Sequence, residues 1–168
     1  NIFSTADDGI LSLPQLEDAF AKGILCASAP LIAGQIQPAS LDLRLGAKAW
    51  RVQASFLPGA GNKVTDKLVD LAMHEIDLSS GAVLEKGCVY IAEIMESLHL
   101  PAGVTAIANP KSSTGRLDVF TRLIVDSADE FETAPEGYQV PLYAEISPRT
   151  FSVLVRQGSR LSQLRLRK

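Results

Sequence analysis

Three segments of the chain combine residue types that could do chemistry. The first, Asn109-Pro-Lys-Ser-Ser-Thr-Gly-Arg116, places two hydroxyls between a lysine and an arginine after a predicted strand. Ser112 or Ser113 can cap a short helical turn, whose free N–H groups and hydroxyls suit phosphate oxygens. Lys111 and Arg116 would add positive charge from two sides. The same pattern also fits a serine-capped turn with solvated cations.

The second segment, Gly137-Tyr-Gln-Val-Pro-Leu-Tyr-Ala-Glu145, sets one carboxylate in an apolar strand. Glu145 either faces solvent or points into a pocket, where desolvation would suit it to shuttling a proton. The third segment, Gln35-Ile-Gln-Pro-Ala-Ser-Leu-Asp-Leu-Arg-Leu-Gly46, is a turn followed by an alternating strand. Because Asp42 and Arg44 share one face of that strand, the pattern predicts a structural ion pair between them.

Other catalytic patterns are missing from the sequence. A zinc deaminase carries His-x-Glu and a later Pro-Cys-x-x-Cys, whereas His74 is followed directly by Glu75, and Cys26 and Cys88 lie far apart. Gly-x-Ser-x-Gly, Gly-x-Gly-x-x-Gly and Walker patterns do not occur either. We therefore expect no protein-bound metal, no zinc and no disulfide framework. Both thiols are expected to pack as small core residues in a reducing cytoplasm.

Composition narrows the class of protein. The 168 residues are 46% hydrophobic and 21% charged, with a net charge of −3, which excludes intrinsic disorder and argues against broad nucleic-acid binding. Neither a membrane span nor a secretory signal is expected from the sequence. Residues 146–168 hold six bases and no acid, whereas residues 126–136 hold five acids and no base. This asymmetry fits solvated strand faces and an acidic loop, or an anionic ligand near the basic end.

The elements expected around these segments are mostly strands in one domain, residues 1–168. We expect a loose arm over 1–9, a helix over 10–23 capped by Ser12, and a β core over 35–168 with a second helix near 63–73. Gly46 is expected to mark a turn between two short strands. The candidate strands cover 40–45, 49–53, 74–78, 88–95, 103–108, 119–125, 140–147, 151–155 and 161–166. Many short strands favour a β-barrel or sandwich.

Taken together, the three segments resemble the dCTP deaminase branch of the dUTPase-like superfamily. Gln37-Pro-Ala-Ser-Leu-Asp-Leu-Arg-Leu-Gly46 is similar to the early strand signature of that family. Lys111-Ser-Ser-Thr-Gly-Arg116 resembles its Arg-Ser-Ser-x-x-Arg substrate loop, and Tyr143-Ala-Glu145 falls where the family carries its catalytic glutamate. Gly158-Ser-Arg-Leu-Ser-Gln-Leu164 resembles its last core strand. The order and spacing fit from about residue 10 to the end of the sequence.

The resemblance implies a distorted jelly-roll barrel with an N-terminal helix and one or two short helices, in a cytoplasmic homotrimer with active sites between subunits. It implies zinc-free hydrolysis of dCTP to dUTP and ammonia, with Mg²⁺ bound through the triphosphate. Glu145 would be general base and acid, while Arg116 would position it or the water, and Ser112 would bind water or substrate. The implied substrate-binding residues are Lys111, Ser112, Ser113, Thr114, Gly115, Arg116, Tyr143, Ala144 and Glu145.

Some features depart from the family pattern. Lys111 stands where the family usually has arginine, and the acid that contacts the sugar has no clean match, since Asp126 and Asp129 do not align. Family members continue beyond the position of Lys168 into a tail that folds over the triphosphate. The chain is therefore expected to be a fragment, to lack a mobile tail, or to be one half of a duplicated enzyme. The alternatives to a deaminase are a dUTPase, a bifunctional enzyme that forms dUMP, and a noncatalytic nucleotide-binding or trimer-forming half.

Overall fold

The computed structural model describes residues 9–168, which form three helices and eleven strands. The helices are α1 (Leu13–Ala21), α2 (Val64–Leu71) and α3 (Ser112–Arg116). The strands are β1 (Leu25–Ala27), β2 (Leu41–Val52), β3 (Ala72–Asp77), β4 (Ala82–Leu84), β5 (Val89–His99), β6 (Thr105–Pro110), β7 (Val119–Val125), β8 (Thr133–Ala134), β9 (Gln139–Pro148), β10 (Val153–Val155) and β11 (Arg160–Arg167). The mainly β prediction with an N-terminal helix is therefore confirmed.

Most strands form one sheet that curls almost into a barrel. Its order is β7-β9-β5-β2-β11-β6-β8, with β1 added to β5 and β3 added to β2. β4 and β10 form a separate two-stranded sheet. Glu132 bridges the two ends of the curl, since its N–H donates to Leu123 O at 2.9 Å and its carbonyl accepts from Ala108 N–H at 2.8 Å. One residue thus links β7 to β6 across the seam of the barrel.

The two faces of the sheet bury different apolar clusters. On the inner face of β7 and β9, Leu123 and Leu142 join one cluster, and Ala144 joins the next. Alternation puts Ile124 and Tyr143 on the outer face, where α2 covers them. The outer cluster consists of Val52, Phe56, Val64, Leu68, Ile91, Ile124 and Tyr143. The outer face of β5, β7 and β9 is therefore a second packed layer rather than a solvated surface.

Local sequence signals place α1 correctly. Ser12 is the N-cap of α1. The Ser12 backbone N–H donates to Gln15 Oε1 at 2.8 Å, as in a capping box. Gly23, at φ 76°, follows the helix in the left-handed region. The predicted loose arm falls mostly on residues 1–8, outside the described part. Gly9 is paired with the end of β11, because Lys168 N–H donates to Gly9 O at 2.9 Å.

The predicted turn at Gly46 is wrong. β2 runs through Gly46 as one strand of 12 residues, with its register shifting between Leu45 and Ala49. A Cβ at Gly46 would lie 3.1 Å from Cβ of Glu93, so the glycine permits close contact between strands at a bulge. The bulge redirects β2, whose first part pairs with β11 and whose second part pairs with β3 and β5.

Candidate active site

Glu145 lies in β9 and only 2% of its surface is exposed. The strand is paired on both edges, and the register sets Glu145 between Ile91 of β5 and Arg122 of β7. Because Ala144 packs in the inner core, alternation turns Glu145 to the outer face of the sheet. A carboxylate this deeply buried requires partners that compensate for its lost hydration.

Two side chains bind the Glu145 carboxylate. Arg122 Nε donates to Oε2 at 2.8 Å, and the Ser55 hydroxyl donates to Oε1. Arg122 Nη2 in turn donates to Ser55 Oγ at 2.8 Å. The three side chains form a closed ring of hydrogen bonds, named here the Glu145 ring. Each carboxylate oxygen therefore has a donor, and one of the two bonds is a charge-assisted contact with a cation.

Aromatic contacts hold the guanidinium of Arg122. Its Cζ lies 3.4 Å from the centre of the Phe131 ring and 4.9 Å from that of Phe120. Arg149 also approaches Phe120, with its Cζ 4.8 Å from the ring centre. Cations are attracted to aromatic faces at these distances. Arg122 is thus fixed by the Glu145 ring on one part of its surface and by aromatic packing on another.

Glu132 adjoins this cluster in the connection between β7 and β8. Its backbone has φ 70°, and its carboxylate accepts the N–H of Leu123. Burial raises the pKa of Glu132 to about 7, although the Leu123 N–H and the charge of Arg122 oppose the rise. A half-buried acid with a pKa near neutrality can change charge under ordinary conditions.

The predicted substrate loop lies at α3 and is anchored from within. The N-cap of α3 is Lys111 rather than Ser112 or Ser113. The Thr114 hydroxyl donates to Leu161 O at 2.7 Å, and Thr114 is buried. The remaining loop residues, Ser112, Ser113, Gly115 and Arg116, are exposed. The loop therefore presents hydroxyls and one cation to solvent from a fixed base.

Lys111 is bonded to a buried acid. Its Nζ lies 2.5 Å from Oδ2 of Asp42, and Nη1 of Arg160 lies 3.3 Å from the same oxygen. Asp42 is fully buried, and its Oδ1 has no hydrogen-bond partner among residues 9–168. The predicted Asp42–Arg44 ion pair is wrong, because Arg44 pairs with the buried Glu96 at 2.8 Å instead. Lys111 and Arg160 thus form a small basic surface beside α3, with Asp42 beneath.

Tyr143 and Ala144, two of the predicted substrate-binding residues, lie inside the sheet. Tyr143 and Ala144 are buried, and β9 is paired with both β5 and β7 at these positions. Burial raises the pKa of Tyr143 to about 12, with smaller contributions from Asp126 and Glu93. The backbone groups of Tyr143 and Ala144 are therefore flanked by strands on both sides and do not lie on an open edge of the sheet.

A cavity of about 650 Å³ opens at the acidic segment, residues 126–136. Its lining includes Asp126, Asp129, Glu130 and Tyr138, and no lysine or arginine. Because a triphosphate needs cations to offset its charge, the lining does not suit phosphate. Glu145 is not among the lining residues.

Two general features of residues 9–168 bear on function. No helix in this part is long and apolar enough to cross a membrane. Within the same range, no three His, Cys, Asp or Glu side chains lie together as a group that could hold a metal ion. Both cysteines are free thiols, and each is half-buried.

Comparison with known proteins establishes the family. A model of the 2'-deoxycytidine 5'-triphosphate deaminase N-terminal domain matches residues 7–168. The chain belongs to this family. The resemblance inferred from the three sequence segments is therefore confirmed.

Individual relatives agree with the family. The crystal structure of 2'-deoxycytidine 5'-triphosphate deaminase from Agrobacterium tumefaciens shares 61% identity and a TM-score of 0.93 over 95% of this chain and 48% of that one. A dCTP deaminase of Halorubrum lacusprofundi is 28% identical over 92% of this chain and 75% of its own length. A dUMP-forming dCTP deaminase of Methanoculleus marisnigri is 32% identical over 62% of this chain and 54% of its own. The chain thus spans about half the length of the Agrobacterium protein.

Within this family framework, sequence reasoning missed two members of the Glu145 ring. Ser55 is separated from Glu145 by 90 positions and carries no motif. Arg122 sits in an alternating strand, where a charged residue suggests a solvated face. The pairing of β7 with β9 is what brings Arg122 to Glu145, and only a prediction of strand register could have found it.

Proposed function

We propose that this chain deaminates dCTP to dUTP and ammonia and that Glu145 moves the protons. The observation that carries the proposal is the buried Glu145 carboxylate, held by Arg122 and Ser55 on a strand paired along both edges. Membership of the deaminase family supports the choice of substrate. A carboxylate fixed in this way can accept and return protons without moving, which is what preorganised acid–base catalysis requires.

The reaction needs water to add to C4 of the cytosine while N3 gains a proton. Glu145 takes the first proton from the water and gives it to N3. It then takes the second proton of the same water from the hydroxyl on C4 and gives it to the departing amino group. Atoms balance, since dCTP and water give dUTP and ammonia. Arg122 keeps the carboxylate in place through both transfers, because its Nε bond to Oε2 does not involve the oxygen bound by Ser55.

The α3 loop is assigned to the substrate of a neighbouring subunit. Arg122 lies beside Glu145, and β7 begins at Val119, three residues or about 10 Å earlier. Arg116 precedes that strand, and it forms no hydrogen bond with Glu145. A site completed by a second copy, as in the homotrimer implied by the family resemblance, would bring Arg116 and Ser112 of one chain to Glu145 of another. Lys111 and Ser113 would then bind phosphate.

Magnesium is proposed to arrive with the nucleotide. Since residues 9–168 present no ready set of metal-binding side chains, the triphosphate oxygens and water would supply the ligands, as is common for Mg²⁺. When bound, the ion would neutralise phosphate charge. The cations beside α3, Lys111 and Arg160, would neutralise the remainder.

A second candidate function has an observation of its own. Both oxygens of Glu145 already accept a hydrogen bond within the chain, so an incoming water would share the carboxylate with Ser55 and Arg122. This favours a nucleotide-binding half whose chemistry takes place elsewhere in a longer protein. One relative is named as dUMP-forming, so the product is tested as well.

Both candidates are tested by incubating the purified chain with dCTP and Mg²⁺ and separating the products by chromatography. Formation of dUTP and ammonia supports the deaminase, and further conversion to dUMP and pyrophosphate makes it bifunctional. Binding of dCTP without turnover supports the binding half. In an active chain, Glu145→Gln should lower kcat by about 10²–10⁴-fold with dCTP binding retained. Glu17→Gln, on the exposed side of α1, is the matched control, and equal activity of Glu145→Gln would refute the role of Glu145.

A further inference from the structure

Ser55 connects the buried Glu145 to the surface. Only 2% of Glu145 is exposed, whereas Ser55 is an exposed residue of the segment between β2 and α2. Its hydroxyl donates to Glu145 Oε1 and accepts from Arg122 Nη2 at 2.8 Å. The hydroxyl therefore touches the reacting carboxylate on one side and lies at the surface on the other.

The segment that carries Ser55, residues 53–63, is fastened at both ends, and we name it the strap. At its start, Gln53 N–H donates to Leu71 O at 3.0 Å. At its end, Asn62 O accepts from Ser127 N–H at 2.7 Å. Between these points Phe56 is buried in the outer cluster. Ser55 is thus held over Glu145 by the fold and not by its own hydrogen bonds alone.

The two partners of Glu145 differ in what they can do with a proton. A guanidinium remains protonated in proteins and only donates, whereas a serine hydroxyl both donates and accepts. Arg122 can therefore hold the carboxylate but cannot carry a proton to or from it. Ser55 is the partner in the Glu145 ring whose hydroxyl can exchange a proton with a water outside.

We propose that Ser55 relays the proton between the attacking water and Glu145, an inference that rests on the proposed function. As water adds to C4, one of its protons passes to Ser55 Oγ while the Ser55 hydroxyl proton passes to Glu145 Oε1. The reverse transfer returns protons from Glu145 through Ser55 to N3 and to the departing amino group. Ser55 ends each cycle with the proton count that it began with, so no further reactant is needed.

The test compares Ser55→Ala, Ser55→Thr and the control Ser80→Ala in the full chain with dCTP and Mg²⁺. Ser80 is exposed in the turn between β3 and β4, and no hydroxyl bond of its own is found among the described residues. Loss of the relay should lower kcat by about 10²-fold with KM nearly unchanged. Ser55→Thr keeps a hydroxyl and should recover most of that loss, and Ser80→Ala should match the wild type.

A second readout separates a relay from a structural role. The rate of the wild type in mixtures of H₂O and D₂O should fall along a curve, because two protons move together, and that of Ser55→Ala should fall along a straight line. Wild-type or higher kcat in Ser55→Ala, or the same curve in both proteins, overturns the relay. If Glu145→Gln is inactive at the same time, the proposed function stands and only the relay fails. Full activity of Glu145→Gln, or an inactive wild type, instead overturns the proposed function.

Discussion

Removing the charge of Glu132 should make the protein more stable at high pH. Glu132 closes the seam between β6 and β7 through its backbone, and its carboxylate accepts the N–H of Leu123. In Glu132→Gln the amide oxygen can still accept that N–H. The substitution therefore keeps the hydrogen bond and removes the ionisable group.

The sign follows from the raised pKa. The pKa of the Glu132 carboxyl is 4.5 in a solvated chain and about 7 in the folded protein. Its contribution to stability is fully present below pH 4.5 and is lost as the pH rises through about 7. The difference of about 2.5 pH units corresponds to an upper limit of about 3 kcal/mol. Because solvent screens this half-exposed group, we expect an effect of about 1–2 kcal/mol.

Thermal unfolding measures the effect. At about 2–4 °C per kcal/mol for a chain of this size, Glu132→Gln should exceed the wild type in Tm by roughly 2–8 °C at pH 8. The excess should shrink steadily as the pH is lowered toward 5. Glu17→Gln on α1 removes an exposed carboxylate of the same length and should follow the wild type at every pH. A Tm difference for Glu132→Gln that stays constant between pH 5 and 8 would refute the reasoning.

Three other substitutions test the ion pairs. Arg122→Gln leaves the buried Glu145 carboxylate without its cation and should lower the free energy of unfolding by about 2–3 kcal/mol in urea at pH 7; an unchanged midpoint would contradict a stabilising pair. Lys111→Ala should be more destabilising than Arg160→Ala, because Lys111 lies 2.5 Å from the fully buried Asp42 and Arg160 lies 3.3 Å from it. The same urea titration checks this order, and equal losses would show that the two cations share Asp42 evenly.

Local signals in the sequence were sufficient for several elements. The serine cap and the Gly23 stop are short-range features, and they place both ends of α1 within three residues of the structure. The alternation of Leu41, Leu43 and Leu45 correctly indicated a strand. Family motifs further singled out Glu145 and the α3 loop as candidate site residues, because each motif is contiguous in sequence.

Features that depend on strand register could not be predicted from the sequence. Gly46 has the same local signature in a turn as in a bulge, and the difference depends on Glu93 in another strand. The ion pairs of Asp42 and Arg44 likewise depend on partners 69 and 52 positions away. Alternation reports that two charges share a face, but it does not report which strand or helix covers that face.

The acidic segment shows how the same limit applies to charge patterns. From the sequence, five acids without a base suggest a solvated loop. In the fold, Asp126 Oδ1 accepts the Val64 N–H at 2.8 Å, and Glu136 Oε2 accepts the Gly103 N–H at 2.5 Å. Acids that satisfy backbone donors need no neighbouring base, so a run of like charges does not by itself indicate an ionic ligand.

The connection between β7 and β8 links the seam of the barrel to the Glu145 ring. Phe131 stacks on the Arg122 guanidinium, and the next residue, Glu132, binds both the N–H and the carbonyl of Leu123, which follows Arg122 in β7. The backbone that positions the cation of the ring is therefore held by an acid whose pKa is about 7. Ionisation of Glu132 places a negative charge near Arg122, which already serves Glu145. Because the charge of Arg122 acts on Glu132 as well as pairing with Glu145, we expect ionisation of Glu132 to affect the ion pair between Arg122 and Glu145.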